Sequence, residues 1–315
     1  VAERTIHVGL NLAPTEDLRV AALPLLEASE VDVLELSVDM AFAEVPEWAD
    51  ALLDFFGYEG RLVGHGVEMS LFTAGQDERR AAWLARLDEV WKRYRMTHLS
   101  EHFGFMTGGD FIGGTPFPLP FTRAALDVGI RHLEELKSHL GGAPVGLENL
   151  ALALSPRDVD EQPDFLEALL DAVDGFLHLD LHNLYCQAEN YDRDPSELLR
   201  RYPLERVLKI HLAGGNYHFA EDDPDRPFRR DDHERDVPAA CLSLLEEALG
   251  LCPKLETVVL EHADHVLRSQ GELDDFRATY RRVREIVAGA APGASAPRPL
   301  DRKGPSPNAH AIAPL

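Results

Sequence analysis

Short apolar runs alternate with helical stretches about eight times along this chain, and no other feature limits its fold so strongly. The runs open with IHVGLNL (6–12) and VDVLELS (31–37) and close with TVVLEHA (257–263). They are apolar almost throughout, as parallel strands covered by helices must be, whereas half-exposed strands alternate. Eight strand–helix units close a parallel barrel, and 315 residues suit one such barrel with insertions. The expected fold class is α/β, a single (β/α)8 barrel over 1–290. The segment 291–315, rich in Pro and Ala without periodicity, is expected to be a disordered tail.

Local signals set approximate bounds. Thr15 is a fitting N-cap for a helix ending near Ala28, and a second helix opens near Pro46 and runs to Phe56. Further helices are expected over Asp77–Tyr94, Thr122–Leu140, from near Pro163, from near Pro195, up to Gly250, and over about Glu272–Val287. The stretch GFLHLDLHNLY (175–185) reads as one strand leading to the Pro195 helix. A Gly/Pro-rich segment through Pro120 and a polar segment over 214–236 read as loops.

Six of the runs end, at the same relative point, on a residue able to bind a metal: His65, His102, Glu148, Asp180, His211 and Glu261. All strand C-termini of a parallel barrel converge on one face, so residues nearly two hundred positions apart would share a pocket of imidazoles and carboxylates. Singly, each has an ordinary explanation: a satisfied core histidine, a mouth carboxylate paired with arginine, or a loop cap at Asp180. Their coincidence at one end of successive strands is what indicates a metal site, one holding more than one ion. Histidine and carboxylate donors without cysteine sulfur suit iron, manganese or zinc. In FRRDDHERDV, Asp231 and His233 stand two apart and could face one ion; His218 is a weaker candidate, expected to be exposed.

Other signals exclude more than they assign. A formal charge of −24 disfavours nucleic acid and anionic membranes as partners. No segment resembles a signal peptide or a membrane span, so a cytoplasmic protein is expected. The three cysteines lack a metal or disulfide spacing, and Cys186 is expected to be buried filler more than a pocket residue. HLSEH (98–102) matches a zinc-peptidase spacing that works only on a helix, and here a strand is expected. Gly214 and Gly215 alone are too weak a signal for a phosphate site.

The chain resembles the DUF692 proteins, the multinuclear non-haem iron-dependent oxidative enzymes, from about Ile6 to Val287. The likeness is carried by GHGVEMSL (64–71), LSEHFGF (99–105), GLENL (146–150), LDLHNLYCQAENY (179–191), KIHLAGG (209–215), DDHERDVP (231–238) and LEHAD (260–264). It implies a xylose-isomerase-like barrel, two or three irons in mixed ferrous and ferric states, and dioxygen as co-substrate. It also implies oxidation of a cysteine, aspartate or asparagine residue of a ribosomally made peptide. By motif, His65, His102, Glu148, Asp180, His211, Asp231, His233 and Glu261 correspond to iron ligands, with Asn183 a further one. Glu148 resembles a carboxylate bridging two irons, and it and Asp180 are the residues expected at the reacting centre.

Three positions depart from the family pattern. His182 stands where an Asn is common, Gly215 where many members have His, and His262 where Trp is frequent. These departures bear on a third iron and on the substrate, which is expected to be a peptide or a related small molecule. A separate leader-binding partner protein is a further expectation. The competing readings are a divalent-metal sugar isomerase or phosphoester hydrolase of the same fold, and a barrel that binds metal without catalysis.

Overall fold

The computed structural model describes residues 5–290 except 76, 109–110 and 221–222, and omits the side chains of 112, 114, 220 and 223–226. The expected disordered tail, 291–315, lies outside the described residues.

Eight parallel strands close the barrel: β1 (His7–Leu12), β2 (Val33–Ser37), β3 (Leu62–Gly66), β4 (Leu99–His102), β5 (Val145–Glu148), β6 (Phe176–Asp180), β7 (Val207–Leu212) and β8 (Thr257–Leu260). Each pairs with its sequence neighbours and β8 pairs with β1, so no edge is left exposed. The helices are α1 (Glu16–Glu27), α2 (Glu47–Tyr58), α3 (Asp77–Tyr94), α4 (Arg123–His139), α5 (Pro156–Val173), α6 (Leu181–Asn190), α7 (Pro195–Leu199), α8 (Ala239–Leu251) and α9 (Gln270–Ala290). Leu34, Leu62, Leu99, Leu147, Leu177 and Val258 on the strands are buried among helix residues such as Leu53, Leu87, Leu133 and Leu170. No helix among the described residues is long and apolar enough to cross a membrane.

Four local expectations need correction. The helix expected near Pro163 begins at Pro156, because Ser155 caps it by accepting the N–H of Asp158 and Pro156 fits the first turn. Pro163 lies buried inside α5 instead of opening it. The run 175–185 is not one strand. It stops at Asp180, whose side chain accepts the Asn183 N–H and starts α6 at once. The two loops also hold antiparallel hairpins, Phe105–Gly108 with Phe111–Phe117 after β4 and Tyr217–Ala220 with Asp223–Arg229 after β7. Both rise from strand C-termini, so they stand around the same mouth.

The barrel interior is unusually polar. Glu35, Ser100, His178 and Lys209 are all fully buried. Across the interior the Lys209 ammonium donates to Glu35, which also accepts from Asn11 at 2.8 Å. A buried charge needs such a partner, since desolvation alone costs several kcal/mol per ion.

Candidate metal centre

Above this polar layer the strand ends bring their imidazoles and carboxylates together. Glu148, at the end of β5, is 2% exposed and lies at the middle. Its Oε2 is 3.2 Å from His65 Nε2 and 3.1 Å from His102 Nε2, and its Oε1 is 3.4 Å from His211 Nδ1. Glu261 Oε2 approaches His211 Nδ1 at 3.0 Å and His233 Nε2 at 3.6 Å. Asp231 Oδ2 in turn is 2.9 Å from His233 Nε2.

Two sets of donor atoms are close enough to hold an ion: His65, Glu148 and His178, and Glu148, Asp180, His211 and Glu261, with the atoms of each set within 4.8 Å of one another. Glu148 belongs to both. A carboxylate offers two oxygens, so this shared position can serve two neighbouring cations and reduce their repulsion.

Local structure explains why these atoms face the mouth. Asn149 clamps the β6 end, donating to Asp180 O at 2.9 Å and accepting Asp180 N–H at 2.8 Å. One Asp180 oxygen caps α6, and the other, Oδ2, is buried without a hydrogen-bond partner among the described residues. Asn183 donates to Asn149 O at 2.9 Å, which leaves its Oδ1 equally unpartnered. His178 Nε2 is a third such atom. Buried polar atoms are rarely left unmatched. His178 and Asp180 each belong to one of the two donor sets, so their unpartnered atoms fit a cation there.

The electrostatics point the same way. Burial, Asp231 and Glu148 hold the Asp180 carboxyl well above the usual carboxylate range. Burial opposes the charged form of Glu148, yet His178, His65 and His102 outweigh it and hold its carboxyl well below that range. Burial likewise works against charging His233, but Asp231 and Glu261 raise it to about 10. His211 is raised well above the ordinary histidine value by Glu261 and Glu35, against its burial. His233 also sits at φ +58°, a left-handed conformation that costs a non-glycine residue about 1 kcal/mol. Such strain is held where surrounding contacts fix a functional loop.

Of the nine residues singled out in the sequence, His65, His102, Glu148, Asp180, His211 and Glu261 lie in one continuous cluster, Asn183 borders it beside Asp180, and Asp231 and His233 join it through Glu261. His218 does not: it is half-exposed and pairs with Asp232 at 2.9 Å. His262 packs against Phe276 and bonds to the Ala263 carbonyl, away from the centre. Within HLSEH, Leu99–His102 is strand and not helix, and His98 just before it lies against Phe176, where burial drives its pKa down to about 3. Cys186 is fully buried.

Two participants were not singled out. His178 is two residues before Asp180 on β6, hence on the same face, and the spacing in FLHLDL was the available signal. Glu35, 2.7 Å from His211 Nε2, had no local signal, because only barrel closure brings β2 to β7. A surface concavity of about 600 Å3 lies between the C-termini of α4 and α5, at the opposite end of the barrel from these residues.

Closed topology and a buried mouth of imidazoles and carboxylates define a xylose-isomerase-like barrel. Solved structures agree on the fold: D-psicose 3-epimerase from Clostridium cellulolyticum H10 superposes with a TM-score of 0.57 at 14% identity, over 90% of this chain and 99% of that one. The zinc-bound IOLI protein gives 0.58 at 13% identity, over 90% and 99%. The chain itself belongs to the RiPP precursor modification enzymes MbnB/TglH/ChrH, whose family model matches residues 8–286. It is 28% identical over 257 residues to the UPF0276 protein NMB2142 of Neisseria meningitidis serogroup B, covering 81% of this chain and 87% of that one. The UPF0276 protein AM1_3026 of Acaryochloris marina is 31% identical over 196 residues, covering 62% and 67%. The family is one of enzymes that modify peptide precursors.

Proposed function

We propose that this barrel is an oxidative enzyme that holds two or three iron ions, in mixed ferrous and ferric states, and uses dioxygen to modify a residue of a ribosomally made peptide. The observation that carries the reading is Glu148, common to two sets of ligand atoms. In this reading His65, His102 and Glu148 hold one ion, with His178 a further donor beside them. Glu148, Asp180, His211 and Glu261 hold a second, with Asn183 next to Asp180. Asp231 and His233 complete the outer side of the centre. Bound iron would supply the redox chemistry and activate dioxygen.

The chain's own residues bind, orient and exclude water. With Nε2 against Glu35, His211 has Nδ1 left to face the centre. Glu148 and Asp180 are buried, so charge at the centre is little screened by solvent. The peptide, or a related small molecule, enters between the two hairpins, and a separate leader-binding chain belongs to the same proposal. The isomerase or hydrolase alternative is less well supported, because the buried Lys209 is paired with Glu35 and Arg229 with His182, so neither is free to hold a sugar or phosphate oxygen.

The test is anaerobic loading with Fe(II), Mössbauer spectroscopy and oxygen uptake with candidate precursor peptides ending in or containing Cys, Asp or Asn. Two or more irons per chain and peptide-dependent oxygen uptake are expected. Stoichiometric zinc with no iron gained, or turnover without oxygen, would overturn the reading.

A pH dependence follows from the same geometry. Without metal, His233 and His211 keep protons at neutral pH and Asp180 keeps its proton above the usual carboxylate range. An entering cation must displace those protons, so affinity should rise with pH through about 10, the midpoint at which His233 loses its own. Calorimetric titration in two buffers of unequal ionisation enthalpy should show net proton release at pH 7; zero release or proton uptake contradicts this.

A further inference from the structure

Arg229 ends the hairpin after β7, and its side chain is 7% exposed. Its guanidinium lies between the rings of Tyr185, at 5.0 Å, and Tyr217, at 4.9 Å. Both tyrosine hydroxyls donate to Glu189 on α6, Tyr185 at 2.9 Å. Asn190 grips the Arg229 backbone at both ends, accepting its N–H at 2.7 Å and donating to its carbonyl at 2.9 Å. The hairpin is thus fastened to α6 through Arg229, two positions before Asp231, and through its strand partner Tyr217.

The Arg229 Nε donates to His182 Nε2 at 3.2 Å, and His182 Nδ1 lies 2.6 Å from Asp231 Oδ1. Arginine has no acceptor, so His182 Nε2 must accept. The ring proton then resides on Nδ1 and is donated to Asp231. Both nitrogens of His182 are committed, which leaves none for a metal. Asp231 Oδ1 is fixed by this bond, and Oδ2 turns to His233. Gly215 is part of the arrangement: a Cβ there would meet Arg230 O at 2.0 Å and His182 Cε1 at 2.9 Å. The space beside 215 is taken first by the Arg230 carbonyl and then by the His182 ring.

We propose that Arg229 and His182 form a hydrogen-bond relay that holds the Asp231–His233 loop over the centre, making them positioning residues for the ion on that side and not ligands. The proposal rests on the multi-ion reading above.

The test uses the full chain, titrated anaerobically with Fe(II) and followed by Mössbauer spectroscopy. Arg229→Met and His182→Phe should each weaken one iron site about 10–100-fold, the usual effect of losing an outer hydrogen-bond partner, with the remaining iron unchanged. The double variant should be no weaker than either single one, because both break the same relay. Arg229→Lys, which keeps a donor, should recover part of the loss. Wild-type affinity and spectra in the variants, equal weakening of every site, or additive losses would each overturn the proposal. If one variant fails to fold, the other decides by the same readout. Should the wild-type chain take up no iron, the functional reading fails, and Zn(II) titration of the same variants still tests the relay.

Discussion

Glu148→Ala is expected to cost the protein more than one ion at once. Asp180 and Glu261 each belong to one set of donor atoms, whereas Glu148 is common to both. Its removal takes an oxygen from the His65 side and another from the His211 side in a single step. Metal analysis after anaerobic Fe(II) loading should fall from two or three ions to fewer than one per chain, with activity lost. Glu261→Ala is the control: it should remove one ion and leave the His65 side filled. Full metal content in Glu148→Ala, or identical losses in the two variants, would show that Glu148 does not bridge.

The second large effect lies below the centre. Lys209→Met should destabilise the metal-free protein by about 3–5 kcal/mol, the usual consequence of leaving one member of a buried ion pair alone. Both partners are fully buried, and Glu35 is held ionised by His211 and Lys209 against the cost of its burial. With the ammonium gone, Glu35 keeps Asn11 and His211 but loses its permanent cation. Replacing both residues, Lys209→Met with Glu35→Leu, should restore most of that stability, since an apolar pair fills the space without a stranded charge. The double variant should still bind metal about 10–100-fold more weakly, because His211 has lost the group that orients it. Denaturant unfolding and metal titration separate the two effects. A loss below about 1 kcal/mol in Lys209→Met would mean that His211 alone satisfies Glu35.

These two experiments probe parts of the protein that differ in how visible they are from sequence. His65, His102, Glu148, Asp180 and Glu261 could be picked out because each terminates or immediately follows an apolar run, and strand ends of a parallel barrel share one face. Asp231 and His233 could be picked out by their spacing in a polar loop. Glu35 and Lys209 could not. Each lies within an apolar run, and a strand buried on both faces gives no sign of which residues point inward. The early start of α5 was legible in Ser155–Pro156, but Pro163 was the stronger punctuation mark and misled. The start of α6 was hidden because Asp180 does two things with its two oxygens, capping a helix and facing the centre.

By itself, then, the order of residues determined the barrel and the kind of chemistry at its mouth, because both depend on local patterning repeated at each strand end. Tertiary structure alone decided which carboxylate lies between two sets of donors, which buried charges support His211, and that His182 bonds to Arg229 on one side and Asp231 on the other. Those outcomes depend on barrel closure, which sets distances between strands 174 residues apart in the case of Glu35 and Lys209. Short-range sequence patterns hold no information about a contact until the ring of strands closes and fixes which side chains meet across it.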